Sequence, residues 1–200
     1  MRSIIIDATY RVGTRDISSS GTYEGEGLLD LSTDLPAGTD AEVLVKTDAN
    51  TATFTLPGDH ELTDGDFDVY WGASSIRYGV PGTIANNVLS LDGGAGDDFP
   101  VTKTPVVVAK QVEIVAALTG NLAVAMVGHC KRRAHLDFRS SVGASLLALN
   151  LMANKAWGWA DDLGFTNPLA GVVVAKILAS CGDSAGTGDL SVPLLYDAVS

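Results

Sequence analysis

Between Phe67 and Val80 apolar and polar residues alternate with a period of two, the pattern of a strand with one buried face. Phe67, Val69 and Trp71 make one set and Asp68 and Tyr70 the other. The alternation resumes at Ile76, Tyr78 and Val80 after the turn-rich Gly72–Ser75. This predicts a β-hairpin with Trp71 as its largest core side chain, closed by Pro81-Gly82 because proline cannot donate to a ladder. A short strand, Val88–Leu91, follows, and Gly93–Asp98 reads as a loop. Upstream, Val43 and Val45 face Ala52, Phe54 and Leu56 across Asp48–Asn50, a second hairpin. Ser3–Val12 reads as an opening strand. The polar, turn-rich Thr14–Gly27 reads as a long surface loop, with contact to a neighbouring subunit as the other use for so long a loop.

The second half continues in the same manner. Val106–Ala109, Val112–Leu118, Leu122–Val127, His135–Phe138, Val172–Ala179 and Leu190–Tyr196 are predicted strands. Ser145–Trp159 fits two periods: Leu147, Leu149 and Leu151 suit a strand, and Leu146, Leu149, Ala153 and Trp157 suit a helix. Strand-rich surroundings and Gly158 between two tryptophans favour the strand. The expected fold is mainly β, in two sandwich- or barrel-like units of short antiparallel strands, with a helix near 145–159 as the one alternative.

Charge divides the chain. Residues 1–100 hold 5 Lys/Arg against 17 Asp/Glu, and residues 101–200 hold 8 against 7, giving the net −11. We therefore expect an acidic domain over 1–99 and a neutral one over 100–200, unless the chain forms one two-sheet body. Clustered Lys and Arg are what phosphate binding requires, so direct nucleic-acid binding is not expected. The run after Arg2 starts like a signal peptide, but Asp7 interrupts it. No stretch reaches the roughly 18 apolar residues of a membrane helix, so no membrane partner is expected. Cys130 and Cys181 are the only cysteines and set no disulfide framework; paired or free, both fit.

Candidate chemistry is sparse. Asp59, His60, Glu61, Asp64, Asp66 and Asp68 form the densest acidic cluster, and Asp64, Asp66 and Asp68 begin like a calcium loop. The pattern then fails, since Tyr70 follows and the twelfth position is Ser75 rather than Glu. A solvated strand face explains these acids. Gly93–Gly96 lacks the Lys-Ser/Thr of a phosphate loop. His129, Cys130 and His135 flank Lys131–Arg133 without a second ligand pair at zinc spacing, and the bases read as a loop or strand edge facing an acidic neighbour or solvent. No nucleophile elbow is present, and no local pattern nominates a partner for the histidines. Trp157 and Trp159 could stack on a sugar if exposed. The expectation is therefore no catalytic residue, no cofactor and no metal.

The DVYW and RYGV strands, the GGAGDDFP loop, the ANKAWGW and TNPLAG segments and the closing LSVPLLYD resemble virion structural proteins of tailed bacteriophages. The resemblance covers most of the chain and carries over no functional residue. It implies a non-enzymatic capsid decoration protein, or a head-to-tail or tail component, assembled in the host cytoplasm into the virion. Its partners would be other virion proteins and copies of itself. A carbohydrate-binding sandwich using Trp157 and Trp159 is the alternative from another class.

Overall fold

The computed structural model describes residues 2–12, 15–25, 27–30, 33–115, 121–160, 168–191 and 193–198. The described residues are all β, without a helix. In chain order the strands are β1 (Arg2–Val12), β2 (Arg15–Gly25), β3 (Gly27–Asp30), β4 (Thr33–Leu35), β5 (Thr39–Lys46), β6 (Thr51–Thr55) and β7 (Gly65–Trp71). Next come β8 (Ser75–Ala85), β9 (Val88–Asp92), β10 (Ala95–Gly96), β11 (Pro105–Lys110), β12 (Val112–Val115) and β13 (Asn121–Cys130). The last are β14 (Ala134–Arg139), β15 (Ser145–Leu151), β16 (Lys155–Ala160), β17 (Lys176–Cys181), β18 (Gly188–Ser191) and β19 (Pro193–Ala198).

Six strands close into an antiparallel barrel in the order β5-β6-β9-β8-β7-β11, with β11 returning to β5. Closure removes the unpaired edges that an open sheet leaves. The interior takes most of the alternating apolar sets of both predicted hairpins. Register shifts at β5 and between β7 and β8 leave Val45 exposed and place Ile76 and Tyr78 with Tyr70 on the outer face. Val43, Phe54, Phe67, Val69, Leu89, Leu91 and Val108 are fully or almost fully buried in the interior, and Phe99 meets Phe54 edge-to-face at 5.4 Å. Each such side chain contributes about 1.5–3 kcal/mol relative to exposure. Trp71 packs against this core but remains half-buried.

The second unit is a sandwich. One sheet runs β12-β17-β14-β15; the other runs β3-β19-β13-β18-β4, with β16 on β13. Between them lie Leu136, Phe138, Ile177 and Ala179 from the first sheet and Met126, Cys130, Leu190, Leu194 and Leu35 from the second. Sheet membership does not follow a cut at residue 99. Pro105–Lys110 completes the barrel, while Gly27–Asp30 pairs with β19 and Thr33–Leu35 with β18 of the sandwich.

Several expectations change. Thr14–Gly27 is not a loop: Arg15–Gly25 is a strand paired along its whole length with Arg2–Val12, in a two-stranded sheet of its own. Its serines and glycine hide the strand because backbone pairing, not apolar periodicity, defines it. The helical alternative for Ser145–Trp159 gives way to β15 and β16, separated by a turn where Asn154 adopts a φ of 57°. Pro81-Gly82 does not end β8, which runs on to Ala85 and turns through Asn86-Asn87, both at positive φ. Pro81 is tolerated where the far edge of β8 passes from β10 to β9, between the pairings of Tyr78 and Gly82. Of the strand expected over Val112–Leu118, Val112–Val115 is observed and residues 116–118 lie outside the described residues. The Val172–Ala179 strand begins only at Lys176, after a turn at Leu169–Gly171.

Candidate functional site

β7 buries both of its faces. Phe67 and Val69 point into the barrel, while Asp68 and Tyr70 point outward and are nonetheless buried. The solvated face expected for Asp68 does not exist there, because the sandwich sheet β12-β17-β14-β15 covers it. β14 and β17 meet this face with His135 and Ser180, while Leu136, Phe138, Ile177 and Ala179 turn to the sandwich interior.

Asp68 is the hub of this seam, and its carboxylate accepts four hydrogen bonds. Oδ2 takes the Ser180 hydroxyl at 2.5 Å and His135 Nδ1 at 2.9 Å. Oδ1 takes the Gly79 amide and Gln111 Nε2, both at 2.8 Å. The Gly79 contact explains a bulge in the β7–β8 ladder, where Gly79 adopts a φ of 61°. Since Ser180 donates to Asp68, the Tyr70 phenol donates to Ser180 Oγ at 2.5 Å. His135 thus carries its proton on Nδ1. Its buried Nε2 has no partner among the described residues, and the Tyr78 ring lies against the imidazole at 4.5 Å between centroids.

A second layer of charges surrounds the hub. Arg139 Nε donates to Asp137 Oδ2 at 2.6 Å, and its guanidinium reaches Gln111 Oε1 at 3.3 Å. Arg133 donates to the carbonyls of Trp71 and Ser75 and lies over the Tyr70 ring at 5.0 Å. Burial disfavours its charge and lowers its pKa from the usual guanidinium value. The Tyr70 phenol is held well above its ordinary value, first by burial and then by the negative charge of Asp68. Gly182 permits this packing, since a Cβ there would come within 2.5 Å of the Tyr70 ring.

The trio of Asp68, His135 and Ser180 has the residue types of a hydrolase but not its geometry. In a catalytic triad the imidazole lies between serine and carboxylate and takes the serine proton. Here the carboxylate lies between them, and His135 and Ser180 are both buried. The arrangement holds barrel to sandwich, and no reacting atom could reach it.

The other candidate residues disperse. Asp64 accepts the Ile84 amide at 2.7 Å, and Asp59 and Glu61 are exposed in the β6–β7 loop. They flank His60 along an open groove of about 610 Å³ between barrel and sandwich. Among the described residues no three His, Cys, Asp or Glu side chains gather as metal ligands. His129 is half-buried on β13, and Cys130 and Cys181 are buried free thiols. Lys131 and Arg132 face acidic neighbours, pairing with Asp189 and Asp183. Gly93–Gly96 wraps around Arg77, which donates to the carbonyls of Gly93, Gly94 and Asp97 and to Asn50 Oδ1. Trp157 packs against the sandwich core; the side chain of Trp159 lies outside the described residues.

Sequence reasoning missed Tyr70, Gln111 and Ser180, and it set Arg133 with Lys131 and Arg132 against acids or solvent, whereas Arg133 is half-buried and donates to backbone carbonyls. The available signal was a second polar set in His135, Asp137 and Arg139, alternating with Leu136 and Phe138. Comparison of the chain with protein-family models, curated proteins and solved structures yields no match.

Proposed function

We propose that this protein is a non-enzymatic structural component of a tailed-phage virion. It acts as a capsid decoration protein or as a head-to-tail or tail element, through interfaces with other virion proteins and with copies of itself. The observation that carries this reading is the β1–β2 hairpin. Each arm is 11 residues long, and the pair forms a two-stranded sheet with no further strand on either edge among the described residues. At about 3.4 Å per residue such an arm spans roughly 35 Å. The hairpin lies beside β3, β13 and β19 of the same chain but pairs with none of them, so among the described residues both of its ladder edges stay open to a further strand. A neighbouring subunit in a repeated assembly supplies one. The buried polar seam agrees with a scaffold role, since the Asp68 carboxylate on the barrel is held by Ser180 and His135 of the sandwich.

Sedimentation of the full chain over a range of concentrations, alone and with isolated phage shells, tests the proposal. Concentration-dependent association or co-sedimentation with shells is expected. A monomer at every concentration that also ignores shells would overturn it.

A further inference from the structure

Strand β15 is an open edge of the sandwich, and we propose that it is a self-pairing interface, joining two copies of this chain antiparallel across a two-fold axis. β15 pairs with β14 on one side, and among the described residues nothing pairs with its other side. A bulge at Leu146 blunts its start and leaves Leu147–Leu151 as regular ladder. Proteins protect such edges with charges, proline or very short strands. Other edge strands of the sandwich carry a charge: Asp30 in β3, Asp34 in β4, Glu113 in β12 and Lys155 in β16. β15 carries none, and no charged residue or proline occurs from Ser140 to Asn154.

The missing charge selects the partner. The negative charge is concentrated in residues 1–100, so two copies repel least where residues 101–200 face each other, and β15 is an uncharged edge within that half. An open ladder specifies an extended strand as its occupant. Around a two-fold axis at Leu149, Ala148 lies opposite Asn150 of the second copy and Leu147 opposite Leu151, with no like charges in register. Val142 and Met152, both exposed apolar residues, flank the strand at either end and extend the contact.

This names one interface that the assembly reading requires and rests on that reading. The test mixes two full-length variants, Ala148→Cys and Asn150→Cys, under mild oxidation. The native thiols are buried, which limits their interference. The heterodisulfide between the variants is expected to exceed either homodisulfide several-fold. In parallel, Asn150→Lys at this exposed position places two like charges on a diagonal roughly 7–8 Å apart. It should shift the sedimenting species toward monomer while circular dichroism and melting stay as in wild type. If wild type associates but Asn150→Lys associates equally and no register-specific disulfide forms, the β15 interface is wrong and the assembly reading stands. If wild type stays monomeric but co-sediments with shells, the β15 interface falls alone; if it neither self-associates nor binds shells, both fall.

Discussion

Replacing Asp68 by Asn keeps the shape of the hub and removes its charge. All four of its partners are donors: the Gly79 amide, Gln111 Nε2, Ser180 Oγ and His135 Nδ1. An amide group in place of one oxygen must face two of them. The Gly79 N–H is fixed by the backbone, so the amide nitrogen should turn toward Ser180 and His135. Those can adapt, the serine by rotating its hydroxyl and the histidine by moving its proton to Nε2. That proton would then sit on a buried nitrogen without an acceptor among the described residues. Bonds to a charged acceptor are worth about 1.5–3 kcal/mol each and neutral ones about 0.5–1.5. Four weakened bonds and one unmet donor, offset by relief from burying a carboxylate, give a loss of roughly 3 kcal/mol. Urea denaturation followed by tryptophan fluorescence and circular dichroism would measure it, with equal slopes confirming a change in stability alone. A loss under about 0.5 kcal/mol, the range of an unremarkable surface substitution, would refute the hub and return Asp68 to a solvated face.

Two further outcomes follow from the same geometry. Burial raises the Tyr70 phenol well above the ordinary phenol range of about 10, so the unfolded chain ionises it first; stability is complete below that pH and falls as pH rises past it. Tyrosinate absorbance should show one of the five tyrosines titrating only as the protein unfolds, and Tyr70→Phe should abolish that late step; five tyrosines titrating together in the folded protein would contradict its burial. Trp71→Ala should cost about 2 kcal/mol, below the ~3–5 of a fully buried aromatic, because Trp71 is half-buried on the barrel core. An unchanged denaturation midpoint would mean that its packing against the barrel core contributes nothing.

The barrel was largely legible because period-two alternation survives wherever one face of a strand is buried. Phe67 and Val69, and likewise Ala52 and Phe54, entered the core as their spacing requires. What the pattern could not reveal is whether the polar set meets water or another polar set. Asp68 and Tyr70 look the same in either case, and so do His135 and Asp137. Only tertiary packing, across sequence separations of 67 and 112 residues, turns these faces into one network. The β1–β2 hairpin was hidden for a different reason: Ser18–Gly21 carries no apolar rhythm, and its strand character lies in the backbone register with Ile6–Thr9. Gln111 was invisible because it lies in the short link between the two units, where neither period applies.

The seam assigns different tasks to the two units. A closed barrel has no ladder to offer beyond the two-residue β10, so it is poorly suited to pairing with other chains. Its outer face instead covers β14 and β17, which would otherwise expose Ser180 and His135 on a sheet apolar on its other side. A polar seam also selects one orientation of barrel on sandwich, since a slip of one residue would set Asp68 against apolar positions and strand its charge. Gln111 ties the crossing between the units to the same carboxylate, so a hinge there cannot open without breaking the hub. With the barrel fixed in this way, open strand edges among the described residues are concentrated in the sandwich and the hairpin, and of those within the sandwich β15 is the uncharged one.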